Sequence, residues 1–231
     1  MSSKQKTFGF AFALCIIASF LLTFAATSLK VRQDANITAD KQKNILKSLG
    51  LLDASRKQTA QEISALYKLN VRDLTVDSNG KLHKESGEGL LPVHLYVVDN
   101  QVVTYAIPIA GPGLWSTLYG YFALKGDGRT AVGITFYQHG ETPGLGAECE
   151  QPWFQNNFIG KQIIDLKGAF VSIDIVKGKV VDKVIPQKRQ SAVDGISGAT
   201  VTSKGISIFL KADLKKYEPF SQRLRNGESV F

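Results

Sequence analysis

The chain has 231 residues, 44% of them hydrophobic, and 28 Lys and Arg against 20 Asp and Glu give a formal net charge of +8. That composition is normal for a chain with a real apolar core. The basic residues are scattered, with no stripe interleaved with aromatics, which argues against a nucleic-acid partner. Two cysteines are too few for a disulfide framework, a zinc site or an iron–sulfur ligand set.

Residues 8–28 form a run of 21 without a charge. As a helix it would span about 31 Å, the thickness of a bilayer's hydrocarbon core. Lys4 and Lys6 precede the run and Lys30 and Arg32 follow it, as cations that snorkel to the two interfaces. The rival is a cleaved signal peptide with Thr23-Phe24-Ala25 as a weak cleavage site, but such apolar cores usually run about 7–15 residues. Length therefore favours an uncleaved anchor. The flanking charges are nearly balanced and do not set its orientation. The expected division is a short tail at 1–7, a transmembrane helix at 8–28 and one domain at 29–231. Beyond residue 28 the chain still carries 26 basic and 20 acidic residues, a net +6.

A helical pattern covers 36–52, with Ile45, Leu46 and Leu49 on one stripe. A second covers 58–68, with Ile63, Leu66 and Tyr67 inward. Residues 69–90 are polar and Gly-containing and read as irregular. Strands at 93–98 and 102–107 flank Asp99-Asn100-Gln101, and strands at 119–124 and 131–137 flank residues 125–129. A short helix is expected at 148–158. A third hairpin is expected from 170–176 and 179–185 around Lys177-Gly178. The last helix, 202–217, places Ile206, Phe209, Leu210 and Leu214 on one face. Closely spaced hairpins imply an α+β fold of mostly antiparallel sheet flanked by helices, not a doubly wound one.

Three segments carry candidate chemistry. Asp194-Gly195-Ile196-Ser197-Gly198-Ala199-Thr200 surrounds one hydroxyl with small residues just before the last helix, for which Thr202 or Ser203 is an acceptable N-cap. A helix N-terminus there suits a phosphate. The same residues also read as an ordinary cap after a Gly-rich turn. Gly113-Leu114-Trp115-Ser116 offers an aromatic stacking face, or equally a core tryptophan. Glu141-Thr142-Pro143-Gly144-Leu145-Gly146 is a rigid turn with exposed N–H groups, or an ordinary strand-to-helix loop. His83, His94 and His139 are isolated and read as structural or surface residues. Cys149 reads as a small, partly buried residue. Glu141, Glu148 and Asp194 do not pair at a catalytic spacing, and no Ser-His-Asp context supports a hydrolase. A non-catalytic anchored binding domain remains the alternative class.

In this order, after one N-terminal span, the three segments resemble the C subunit of the Na⁺-translocating NADH:quinone reductase, a family of covalent FMN-binding domains. Two of them are shared with the G subunit of the Rnf ferredoxin:NAD⁺ complex, the alternative assignment. Gly-Leu-Trp-Ser followed by Tyr119-Gly120-Tyr121 favours the quinone-reductase branch. The resemblance implies FMN attached through its phosphate to Thr200 by a flavin transferase, with Asp194, Ser197, Gly198 and Ala199 in the recognition sequence. It implies an isoalloxazine near Trp115, with Glu141, Thr142, Gly144 and Leu145 forming another wall. Little positive side-chain charge is expected nearby, which would favour one-electron steps. The implied setting is a six-subunit complex of the bacterial inner membrane. Electrons pass there from NADH to ubiquinone as Na⁺ crosses, and this subunit's domain is periplasmic. No metal, NADH or quinone site is expected on this chain.

Overall fold

The computed structural model describes residues 3–52, 56–228 and 230. The chain divides into two compact units, Met1–Asp40 and Lys41–Phe231. Helix α1, Ser3–Ser48, begins in the first and ends in the second. In the first unit Phe8, Phe12, Phe20 and Leu22 all lie exposed along it. This helix is long and apolar enough to cross a membrane.

The second unit is α+β, as expected. Helix α2, Ala60–Asn70, starts on a capping box: Thr59 Oγ1 accepts the Glu62 N–H and Glu62 returns a carboxylate to the Thr59 N–H. Strands β1 (Val71–Val76), β2 (Leu82–His83), β3 (Leu91–Val98), β4 (Gln101–Pro112), β5 (Thr117–Lys125) and β6 (Ala131–Gln138) follow. They form one sheet in the order β2-β1-β3-β4-β5-β6, antiparallel throughout. The β3–β4 turn is Asp99-Asn100, with φ of 49° and 61°. Two positive φ values in a two-residue loop match the strand twist, and Asp and Asn tolerate them. In the β5–β6 turn the Asp127 carboxylate accepts the N–H groups of Arg129 and Thr130, each at 2.9 Å.

Period-two alternation gives the sheet two apolar faces. Tyr105, Ile107, Ile109, Phe122, Leu124, Ile134 and Phe136 face the larger core, which is completed by the last helix. Ala106, Tyr121 and Ala123 face the opposite way, onto Ile45, Leu46 and Leu49 of α1 and Ile63 and Tyr67 of α2. Those helix residues are the ones the sequence places inward.

After β6 come a 3₁₀ turn (Gly146–Glu150), α3 (Pro152–Asn156), β7 (Asp174–Ile175), α4 (Val180–Lys183), a second 3₁₀ turn (Pro186–Ser191), β8 (Ala192–Val193) and α5 (Thr200–Arg225). Helix α5 buries Ile206, Phe209, Leu210 and Leu214.

Three expectations need correction. The segment 69–90 contains β1, whose Arg72-Asp73 pair breaks the alternation by which a strand is recognised. The third hairpin does not form, since β7 pairs in parallel with β8. The backbone groups its second arm would use are taken by side chains. Asp194 Oδ1 accepts the Val180 N–H at 2.7 Å, and Arg189 donates to the carbonyls of Val184 and Val181, both at 2.9 Å. Finally, α5 begins at Thr200, so Thr202 and Ser203 lie in its first turn and are not caps.

Leu210 is fully buried in the larger core. Leu210→Ala should lower unfolding stability by about 2–5 kcal/mol. Chemical denaturation should show a lower midpoint with an unchanged slope.

Candidate functional site

Helix α5 starts with Ala199 in the cap position and no side-chain cap. The N–H groups of its first turn are therefore left to the surroundings, and the dipole makes this end electropositive. Thr200 is exposed here. The two hydroxyls that could have capped the helix are buried and engaged elsewhere. Ser203 Oγ accepts the Ile196 N–H at 3.3 Å, and Thr202 Oγ1 donates to Glu141 Oε2 at 2.6 Å.

Glu141 joins the three candidate segments. It is buried, and besides Thr202 its Oε1 accepts the N–H of Trp115 at 2.9 Å and of Ser116 at 3.4 Å. Burial alone would push its carboxyl up, but the hydrogen bonds from Thr202, Trp115, Leu114 and Ser116 outweigh that and hold it below the ordinary value. Its own N–H donates to His139 Nδ1 at 3.2 Å, and the other nitrogen of that ring lies 2.6 Å from the Glu150 carboxylate. Cys149 is fully buried, and burial pushes its thiol up to about 12.

Beside the start of α5 lies a cleft of about 1160 Å³, large enough for a ligand of dinucleotide size or smaller. Gly144, Asp194, Ser197, Gly198 and Thr200 all line it. Gly198 has φ +72°, a conformation that favours glycine, and a Cβ on it would sit 2.7 Å from Leu145 Cδ2. Gly195 passes so close to the 176–178 segment that a Cβ would meet the Val176 carbonyl oxygen at 2.2 Å. Ala199 is buried beneath this loop.

The remaining expected residues fall elsewhere. Trp115 is 70% exposed on the β4–β5 loop and does not line this cleft, nor does Thr142. Glu141 is an internal bracket beneath the loops, and Leu145 packs on Gly198. The tryptophan on the cleft is Trp153, whose Nε1–H donates to Glu148 Oε2 at 2.8 Å. Its one signal in the sequence is a Trp directly after Pro152 at the start of a short helix. The expectation of little positive charge nearby does not hold, because Lys177, Lys179 and Lys204 also line the cleft. Lys204 is legible as i+4 from Thr200. Lys177 and Lys179 are hidden by the hairpin pattern, since the turn carrying them is drawn in by Asp194 and by the Gly195 N–H to the Gly178 carbonyl at 2.9 Å.

An α+β domain with a glycine-lined cleft at an uncapped helix start belongs to a recognisable class, and the profile of the FMN-binding domain matches residues 113–215. The C subunit of the Na(+)-translocating NADH-quinone reductase of Pseudomonas aeruginosa is 33% identical, over 98% of this chain and 98% of its own. That of Yersinia pestis is 33% identical, over 97% of this chain and 94% of its own. The crystal structure of the same subunit from Parabacteroides distasonis superimposes with a TM-score of 0.71 at 34% identity, covering 84% of this chain and 96% of that one. The chain belongs to the family of C subunits of the Na(+)-translocating NADH-quinone reductase.

Glu141→Gln should destabilise the fold by about 1–3 kcal/mol, because the hydrogen bonds from the Trp115 and Ser116 N–H groups lose their charged acceptor and the Thr202 hydroxyl must turn from donor to acceptor. The Glu141 pKa is depressed in the fold, so its contribution is complete above the ordinary carboxylate range. It is lost as pH falls through the depressed value. Thermal melts across that range should show the wild type losing stability on acidification more steeply than the variant.

Proposed function

We propose that this chain carries FMN as a phosphoester on Thr200 Oγ1 and serves as an electron-relay subunit of a membrane-bound Na⁺-translocating NADH:ubiquinone oxidoreductase. The observation that carries this reading is the exposed Thr200 hydroxyl at the uncapped N-terminus of α5, on the rim of the cleft and at the end of Asp194–Thr200. The residues present fit the group. Neutral N–H donors and a helix dipole suit a phosphate, and the cleft accommodates a flat ring system.

When bound, FMN supplies the electron chemistry. The chain's own residues hold it. Thr200 would form the tether: a flavin transferase would move the whole flavin 5′-phosphoryl group from a flavin dinucleotide to Oγ1, with a nucleoside monophosphate as leaving group and the hydroxyl proton passing to solvent or to that enzyme. The first-turn N–H groups of α5 face the phosphate, and Ser197-Gly198 lets the backbone approach it closely. Glu141 fixes the Trp115 loop and the Thr142–Leu145 turn against α5, and Asp194 fixes the Lys177–Lys179 turn. A covalent tether suits a domain outside the cell, where a dissociated cofactor would be lost.

In this reading residues 8–28 cross the bacterial inner membrane once. The tail at 1–7 is cytoplasmic, and the domain at 29–231 is periplasmic within a six-subunit complex that moves Na⁺ as electrons pass from NADH toward ubiquinone. Similarity to the C subunits over nearly the whole chain supports this above the Rnf-type assignment.

Intact and peptide mass spectrometry tests the tether on protein expressed with a flavin transferase in an exporting host. The wild-type peptide containing Thr200 should gain the mass of FMN less one water, and Thr200→Val should gain nothing. A wild type without that mass would reduce Asp194–Thr200 to an ordinary helix start.

A further inference from the structure

Three lysines line the cleft that holds Thr200, and the proposed function gives them no part. Among the described residues, none of Lys177, Lys179 and Lys204 has an ion-pair partner. Lys204 stands one helical turn beyond Thr200. Residues four apart on a helix share a face, with Cβ atoms about 5–6 Å apart, so an anion on the Thr200 hydroxyl lies within reach of a lysine's flexible stem. Lys177 and Lys179 flank Gly178 on the turn pinned beside Asp194.

The same cleft holds three carboxylates, Glu148, Asp174 and Asp194. Two of them are engaged: Glu148 Oε2 by the Trp153 indole N–H and Asp194 Oδ1 by the Val180 N–H. Carboxylates and ammonium groups therefore face one space. Apolar walls from Trp153, Ile175 and Ile196 strengthen the interactions there relative to open water.

We infer that Lys204, with Lys177 and Lys179, supplies the counter-charge for a phosphoester on Thr200 and thereby raises the readiness of the attached cofactor to accept electrons. This rests on the proposed FMN tether. A positive charge near a group that gains electrons stabilises its reduced form, and removing that charge shifts the balance toward the oxidised form.

The test uses the full-length, flavin-loaded protein, with loading checked by mass. Spectroelectrochemistry then gives the reduced-to-oxidised ratio of the bound flavin at the wild-type midpoint potential. Lys204→Gln should lower that ratio roughly two- to tenfold, the effect of one charge at about 6–10 Å in a partly aqueous dielectric. Lys177→Gln/Lys179→Gln should lower it too, and added salt should shrink both differences. Lys211→Gln, on α5 but off the cleft, measures the general effect of lost net charge. A ratio for Lys204→Gln no lower than for Lys211→Gln would overturn the inference. If Lys204→Gln fails to load while Lys204→Arg loads fully, the charge at 204 is what the anion requires, and the ratio for Lys177→Gln/Lys179→Gln against Lys211→Gln decides the rest: a lower ratio supports the inference and an equal one overturns it. If Lys204→Arg also fails, the role is one of shape and the inference falls. A wild type that carries no flavin removes the FMN reading itself, and this inference with it.

Discussion

The arrangement depends on one buried carboxylate. Glu141 sits beneath three segments drawn from distant parts of the chain: the 113–116 loop, its own 139–145 turn and the first turn of α5. Its partners are neutral donors, the Thr202 hydroxyl and backbone N–H groups of the 114–116 loop. Ionised, it satisfies them all at once, and their number is what offsets the cost of burial. Each donor left without it would be an unsatisfied polar group in the interior. The carboxylate therefore fixes the position of α5 along its axis, and with it the place where Thr200 emerges.

The sheet makes such a bracket possible. β4 and β5 alternate strictly, so one face accepts α5 and the other accepts α1 and α2. A sheet covered by helices on both faces leaves its loops as the free surface. Function is then carried by loops held on a rigid support. Here the supports are specific: Asp194 to the Val180 N–H, Ser203 to the Ile196 N–H, and Glu148 to Trp153.

The two long hairpins, α2 and the apolar face of α5 are legible in the sequence because they rest on local rules. Asp99-Asn100 accepts positive φ, Thr59 and Glu62 form a reciprocal cap, and Ile206, Phe209, Leu210 and Leu214 repeat at helical spacing. What is not legible depends on partners distant in sequence. Residues 179–185 are rich in β-branched side chains and would suit a strand, yet Asp194 and Arg189 claim the backbone groups a strand needs. Thr202 has the chemistry of a cap, but Glu141, 61 residues earlier, takes its hydroxyl. Trp153 acquires its place from a cleft wall made of α3, the 174–179 segment and the start of α5, and no local pattern announces that assembly.

The start of α5 brings these points together. A helix of 26 residues that begins without a side-chain cap forgoes stabilisation of about 0.5–2 kcal/mol. The neighbouring Thr202 and Ser203 hydroxyls serve tertiary contacts and leave the first-turn N–H groups uncapped. On the proposed reading a phosphate on Thr200 fills the capping role, so attaching the cofactor also completes the helix. The same helix start acts before attachment as well. Without an anion, the three ammonium groups share the cleft with the three carboxylates, and the uncapped helix start, with Lys204 one turn on, is where an anionic donor would be met. The same uncapped N–H groups that would hold the phosphate would therefore also receive it on delivery.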